Sequence, residues 1–329
     1  MMTRLAVLLL LKLSLGAALT ASGPASQPAW AEEAASELFG SAGLPAALPP
    51  EPVGYYARGC LAGGVAIAQD GPTWQAMRPS RNRRYGHPSM ISLVERLSRE
   101  AAARDGWPGL LIGDISQPRG GPMLYGHASH QVGLDADIWL TPMPKRRLTE
   151  RQREKVEMVS MLKKDSLLVD PAKWTPAHAR LIMRAASYSQ VERIFVHPGI
   201  KKKLCDSWKG DRRHLGKVRP YYGHDAHFHI RMKCPRGADK CRAQARVPAG
   251  SGCDSSLAWW FTEEPWRRVD SKRPRAKPRP VLLADLPKNC RVVLRAPAGK
   301  ADGSAQGSIV SAVAGGTVPV PVPRPRAGQ

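Results

Sequence analysis

This sequence predicts an α+β fold: a small antiparallel core sheet flanked by helices and long loops, stapled by disulfides. Three observations predict it. Residues 134–140 and 227–232 follow the two-residue period of short strands. Capped stretches with a helical apolar period lie before and between them. Six cysteines, Cys60, Cys205, Cys234, Cys241, Cys253 and Cys290, follow a segment that reads as an export signal. An even count in an exported chain suggests three disulfides, with fifteen connectivities open. Only Cys234 and Cys241 are close enough in sequence to suggest one small loop. A cysteine metal site is disfavoured because no C-x-x-C pair occurs.

Residues 1–31 form the expected signal peptide. Arg4 supplies a positive start, 5–21 is apolar apart from Lys12, Ser14 and Thr20, and Ala29-Trp30-Ala31 fits a small-x-small cleavage site. The alternative, a membrane anchor, needs about 20 uninterrupted apolar residues, and Lys12 breaks the run. No later segment has that length, so the mature protein is expected to be soluble, with no stable membrane span. Residues 32–54, rich in Ala and Pro, are expected to be irregular. Residues 60–74 read as extended or loop. Ser89 opens a helix with Leu93, Val94, Leu97 and Ala101 on one side, stopped by Gly106 and Pro108.

Residues 109–115, G-L-L-I-G-D-I, read as a buried strand, followed by a loop at Gln117-Pro118-Arg119-Gly120-Gly121. In 134–140 the apolar Leu134, Ala136, Ile138 and Leu140 face one way; Asp135, Asp137 and Trp139 face an open side, giving a half-buried strand. Thr149 and Gln152 form a capping box for a helix carrying Val156, Val159 and Leu162. Thr175-Pro176 opens a second helix through Met183 and Ala186. A strand at 191–197, a short basic helix from Pro198 to about Cys205, and a core strand from His227 to Met232 complete the body. Residues 269–329 read as a basic, Pro-rich, largely disordered tail, which a disulfide through Cys290 would pin to the body.

The net charge of +23 points to an anionic partner or to a solvated cationic surface. Nucleic acid is not expected: the chain is exported and carries no helix-turn-helix, zinc-finger or aromatic RNA-binding signature. Anionic envelope polymers or phospholipid head groups suit the charge better.

Two islands carry the chemistry. G-H-A-S-H-Q-V-G-L-D-A-D at 126–137 holds His127, His130, Asp135 and Asp137; H-D-A-H-F-H at 224–229 holds His224, His227 and His229. On a strand, His227 and His229 enter the same space, with Arg231 on that face. Catalytic zinc takes three His or carboxylate ligands and keeps a fourth position for water, and the reaction needs a nearby proton carrier. His130, Asp137 and His229 as ligands, with His227 beside the water, supply that inventory. Asp135 could orient a ligand imidazole or be merely solvated. Arg119 and Arg231 could hold a substrate carboxylate bidentately, or form scaffold salt bridges. His178 reads as structural, and His87, His197 and His214 as surface or packing residues.

The same residues resemble the penicillin-insensitive murein endopeptidases, part of the wider lysostaphin-type and D-Ala-D-Ala-type (LAS) zinc peptidases. The resemblance rests on the two islands extended to Arg231, on Ser116-Gln117-Pro118-Arg119-Gly120-Gly121, and on the positions of Cys234 and Cys241. It covers about 55–265, within a peptidase domain taken as 55–268. It implies zinc on His130, Asp137 and His229, and His227 as general base and acid. His127 and His224 would flank the metal as an extra ligand or as hydrogen-bonding partners. It also implies disulfides Cys60–Cys290, Cys205–Cys253 and Cys234–Cys241, and a periplasmic enzyme cutting D-alanyl-meso-diaminopimelyl cross-links, unaffected by β-lactams. The basic tail departs from the family pattern.

Two rival readings stay open. One is a D,D-carboxypeptidase of the same architecture acting on uncross-linked stems. The other is a non-catalytic, basic wall-binding protein with a closed, structural zinc. A serine mechanism is disfavoured: Ser160-Met161-Leu162-Lys163 matches S-x-x-K but falls mid-helix on this reading, without S-D-N or K-T-G.

Overall fold

The computed structural model describes residues 33–267 and 279–300. The expected signal peptide and most of the expected tail lie outside them. The fold is α+β. Its seven-stranded sheet runs in the order Val218–Pro220, Val191–Val196, His227–Met232, Asp135–Trp139, Leu110–Ile112, Trp74–Ala76, Asp70–Gly71. The four middle strands pair antiparallel, and parallel pairings occur toward each flank. The central register sets His229 opposite Asp137, His227 opposite Trp139 and Arg231 opposite Asp135. Because alternate residues share a face, this one pairing brings both islands together.

Two helices cover the sheet. Pro88–Arg104 buries Ile91, Leu93, Val94, Leu97 and Ala101; the His87 side chain accepts from Ser89 N at its start. Pro176–Ser187 buries Leu181, Ile182, Ala185 and Ala186. His178 is buried and bonds the Leu140 carbonyl at 3.0 Å, the structural role expected of it.

Four expectations are corrected here. The Asp135–Trp139 strand is buried on both faces, not half-buried, because the 114–130 loop folds over the carboxylate side. The helix capped by Thr149 spans only Glu150–Lys155. Arg78 takes its last carbonyls, bonding Arg153, Glu154 and Val156. The chain beyond instead bridges Leu162 to Val169, so Ser160 is not helical and its hydroxyl accepts from Leu162 N. The segment expected to be irregular contains a helix, Ala35–Gly40, and a strand, Glu51–Tyr55. Within the expected tail, Lys288–Arg295 is a helix. Composition hides these last two because neither buries its apolar residues alone. Phe39, Val53, Leu283 and Val293 do so jointly, in a second core built around Cys60 and Cys290.

Three disulfides close: Cys60–Cys290, Cys205–Cys253 and Cys234–Cys241. The first spans 230 residues. Removing it as Cys60→Ser/Cys290→Ser is expected to cost about 2–5 kcal/mol of unfolding free energy. Urea titration of the oxidised wild type against the double variant measures it.

Candidate metal centre

The first island reaches the site through a strained turn. His130 adopts a left-handed backbone, φ 66°, a conformation costly for any residue but glycine. Two bonds hold it there: Ser116 Oγ donates to the His130 carbonyl at 2.5 Å, and His130 Nδ1–H donates to the Ile115 carbonyl at 2.6 Å. Gly133, φ 69°, then turns the chain into the strand; a Cβ there would lie 2.7 Å from Leu61 Cδ2.

The second island is fixed by a buried carboxylate. Asp135 Oδ1 accepts from His229 Nε2 at 2.9 Å and Arg231 Nε at 2.7 Å. Its Oδ2 accepts from His130 N at 3.0 Å and Arg231 Nη2 at 3.1 Å. Burial disfavours the Asp135 anion, but Arg231 and His229 outweigh it and hold the group far below the usual carboxylate range. The tautomers follow: His130 presents Nε2 as a lone pair, and His229 presents Nδ1.

Those two lone pairs meet Asp137 Oδ1. His130 Nε2 lies 3.5 Å from it, His229 Nδ1 3.4 Å, and the two nitrogens are 3.3 Å apart. Asp137 Oδ1 is buried without a hydrogen-bond donor. Three acceptors in a closed triangle repel unless a proton or a metal cation sits among them. Ligand bonds of about 2.0–2.1 Å in a tetrahedron separate donors by about 3.3–3.4 Å, so the triangle has the size of a zinc face. Protonation tells the same story. Burial works against charge on His130, yet Asp137 outweighs it and raises the ring to about 8. Burial pushes His229 down to about 3, and Asp137 is held well below its ordinary value against its own burial, chiefly by His130.

His127 stands on the other oxygen. Its Nε2 is 3.5 Å from Asp137 Oδ2 and 3.0 Å from Asp114 Oδ2. With His130 and Asp137 it forms a set whose donor atoms all lie within 4.8 Å. The tighter His229 set is the better first choice for a tetrahedral ion, because the His127 nitrogen is already engaged by Asp114. His227 Nε2 lies 3.7 Å from Asp137 Oδ2 and stays partly open to solvent. His224, also left-handed at φ 57°, donates from Nδ1 to the Tyr222 carbonyl at 2.7 Å, with its ring 4.9 Å from that of His227. A cleft of about 400 Å³, lined by His127, Tyr221, His224 and His229, borders the site, and a smaller one of about 80 Å³ is lined by His127, Asp137 and His227.

Both arginines are engaged within the fold. Arg119 donates to the carbonyls of Leu44, Val293, Leu294 and Ala296, and so is a scaffold clamp on the C-terminal helix. Arg231 borders the cleft, but Asp135 neutralises it bidentately and Gln244 takes its third nitrogen. His197 is buried and caps Gly199 at the start of the next helix. Asp114, which no motif marks, joins the site: it is buried, binds His127, and is paired by Arg83 at 3.1 Å and Arg81 at 3.2 Å. Its only trace in the sequence is a carboxylate set in an apolar run after Gly113.

The chain matches the family model described as penicillin-insensitive murein endopeptidase over residues 52–295. A penicillin-insensitive murein endopeptidase of Haemophilus influenzae is 42% identical over 246 residues, covering 75% of this chain and 83% of the relative. One of Yersinia enterocolitica is 40% identical over 250 residues, covering 76% and 87%. One of Klebsiella pneumoniae is 38% identical over 268 residues, covering 78% and 94%. With a family model matching 52–295 and relatives of that name 38–42% identical over three quarters of the chain, this protein belongs to the penicillin-insensitive murein endopeptidase family.

Proposed function

We propose that this protein is a zinc endopeptidase of the periplasm that hydrolyses D-alanyl-meso-diaminopimelyl cross-links in peptidoglycan. The observation that carries the reading is the orphaned, buried Asp137 Oδ1 facing two imidazole lone pairs beside an accessible cleft. His130, Asp137 and His229 would hold the ion. Bound there, zinc would supply a Lewis acid for the scissile carbonyl and a water acidic enough to react near neutral pH. Asp135 and Arg231 keep His229 aimed with the correct nitrogen forward. His227, on the partly solvated side, takes the proton of the attacking water and returns it to the leaving amine. β-Lactams trap a serine nucleophile, whereas the groups that converge here are imidazoles and carboxylates; Ser160 lies apart from them with its hydroxyl engaged. Among the described residues no helix is long and apolar enough to cross a membrane.

Purified protein incubated with cross-linked muropeptide dimers tests this. Monomers should appear, stop with a chelator, and return with zinc. Trimming of monomeric pentapeptide with dimers left intact would instead make it a carboxypeptidase. Wall binding without any cleavage would leave only the non-catalytic reading.

Two smaller effects follow from the site. Asp135→Asn removes the negative charge and one of the two acceptor oxygens that together hold His229, Arg231 and the His130 N–H, so zinc affinity should fall about 10–100-fold, measured by chelator competition. His130, raised to about 8, must shed its proton to bind metal. Apparent zinc affinity should therefore fall about tenfold per pH unit below that value and level off above it.

A further inference from the structure

Beside the metal centre lies an aromatic surface for which peptide hydrolysis alone gives no role. Tyr221 lines the cleft with His224 and His229 and is 51% exposed. Its ring meets Tyr222 at 5.9 Å, and Tyr222 meets Trp260 at 4.8 Å and Trp266 at 5.4 Å. Trp259 extends the row 5.2 Å beyond Trp260. The rings are fixed by their polar edges. Trp266 Nε1 donates to the Trp260 carbonyl at 2.8 Å, Trp259 Nε1 to Glu264 at 2.9 Å, and the Tyr222 hydroxyl to the Pro265 carbonyl at 2.9 Å. The Cys205–Cys253 disulfide ties the start of this segment to the Pro198–Ser207 helix. The rings meet edge-to-face; Tyr221, Tyr222 and Trp259 are exposed and Trp260 and Trp266 half-buried, so apolar ring surface stays open to solvent and marks an interaction surface.

We propose that this shelf stacks the sugar rings of the glycan strand, holding the polymer while a stem peptide enters the cleft. The inference rests on the murein reading above. A pyranose has a rim of hydroxyls and faces of C–H bonds. Those C–H groups carry partial positive charge, which suits the negative face of an indole or phenol ring, and the hydroxyls stay hydrated. The stem peptides offer no comparable flat face. The row of rings is continuous with the cleft through Tyr221, so a stacked sugar and a bound stem can belong to one substrate molecule.

Calorimetric titration of the full-length, zinc-loaded protein with the tetramer of N-acetylglucosamine tests this directly. Saturable binding is expected for wild type and equally for His227→Ala, since the shelf lies apart from the proton carrier. Trp260→Ala should weaken it about tenfold, the scale of one lost ring contact. Trp259→Ala, at a position 39% exposed and so safe for folding, should weaken it in the same direction. In kinetics, both variants should raise KM for sugar-bearing dimers about tenfold at unchanged kcat, and leave sugar-free dimers alone. No tetramer binding by wild type, or an equal rise in KM on sugar-free dimers, overturns the shelf. If neither dimer is cut at all, the murein reading fails by itself, and the titration still decides the sugar site.

Discussion

Asp137→Ala should take the zinc content from about one ion per chain to almost none, and dimer cleavage down by about 10³-fold or more. The carboxylate is the one anionic member of the triangle, with Oδ1 3.4–3.5 Å from both ring nitrogens. Two neutral imidazoles alone lack the third ligand and the negative charge that draw a divalent ion out of water. The substitution removes no protein hydrogen bond at Oδ1, which has none. Metal analysis of the purified variant, beside a dimer digest, checks it. A variant that keeps both its zinc and its activity would place the metal elsewhere.

His227→Ala should behave differently. Its nitrogen is 3.7 Å from Asp137 Oδ2 and outside the triangle of converging donors. Zinc should therefore stay bound while kcat falls about 10²–10⁴-fold, the range for a missing proton carrier. The contrast between the two variants, metal lost against metal kept, separates a ligand from a general base. An equal loss of zinc in both would make His227 a ligand.

How much of this was legible beforehand depended on whether the signal was local. The strand His227–Met232 and the helix Pro176–Ser187 carry their period and caps within their own residues, and both appear where expected. The two histidine islands read as one site because strand alternation fixes which side chains share a face. Asp114 did not, since its role depends on Arg81, Arg83 and His127, which converge only in space. Arg119 sits in a loop suited to binding, but its partners are carbonyls some 175 residues away in the chain. Val156, Val159 and Leu162 continue a helical period, yet Arg78 ends the helix by taking carbonyls that the next turn would have used. Tertiary partners overrode propensity in each case.

The Cys60–Cys290 bond also dictates an order of events. Leu61, beside Cys60, donates to the Arg119 carbonyl, and Gly59 to Gln131, the neighbour of His130. Arg119 in turn grips the helix that carries Cys290. Synthesis runs from the N-terminus, so the strand beside the His130 loop gains its covalent tie only after residue 290 has emerged and met a thiol made long before. A chain shortened before the Lys288–Arg295 helix has both histidine islands but lacks that tie beneath the first of them.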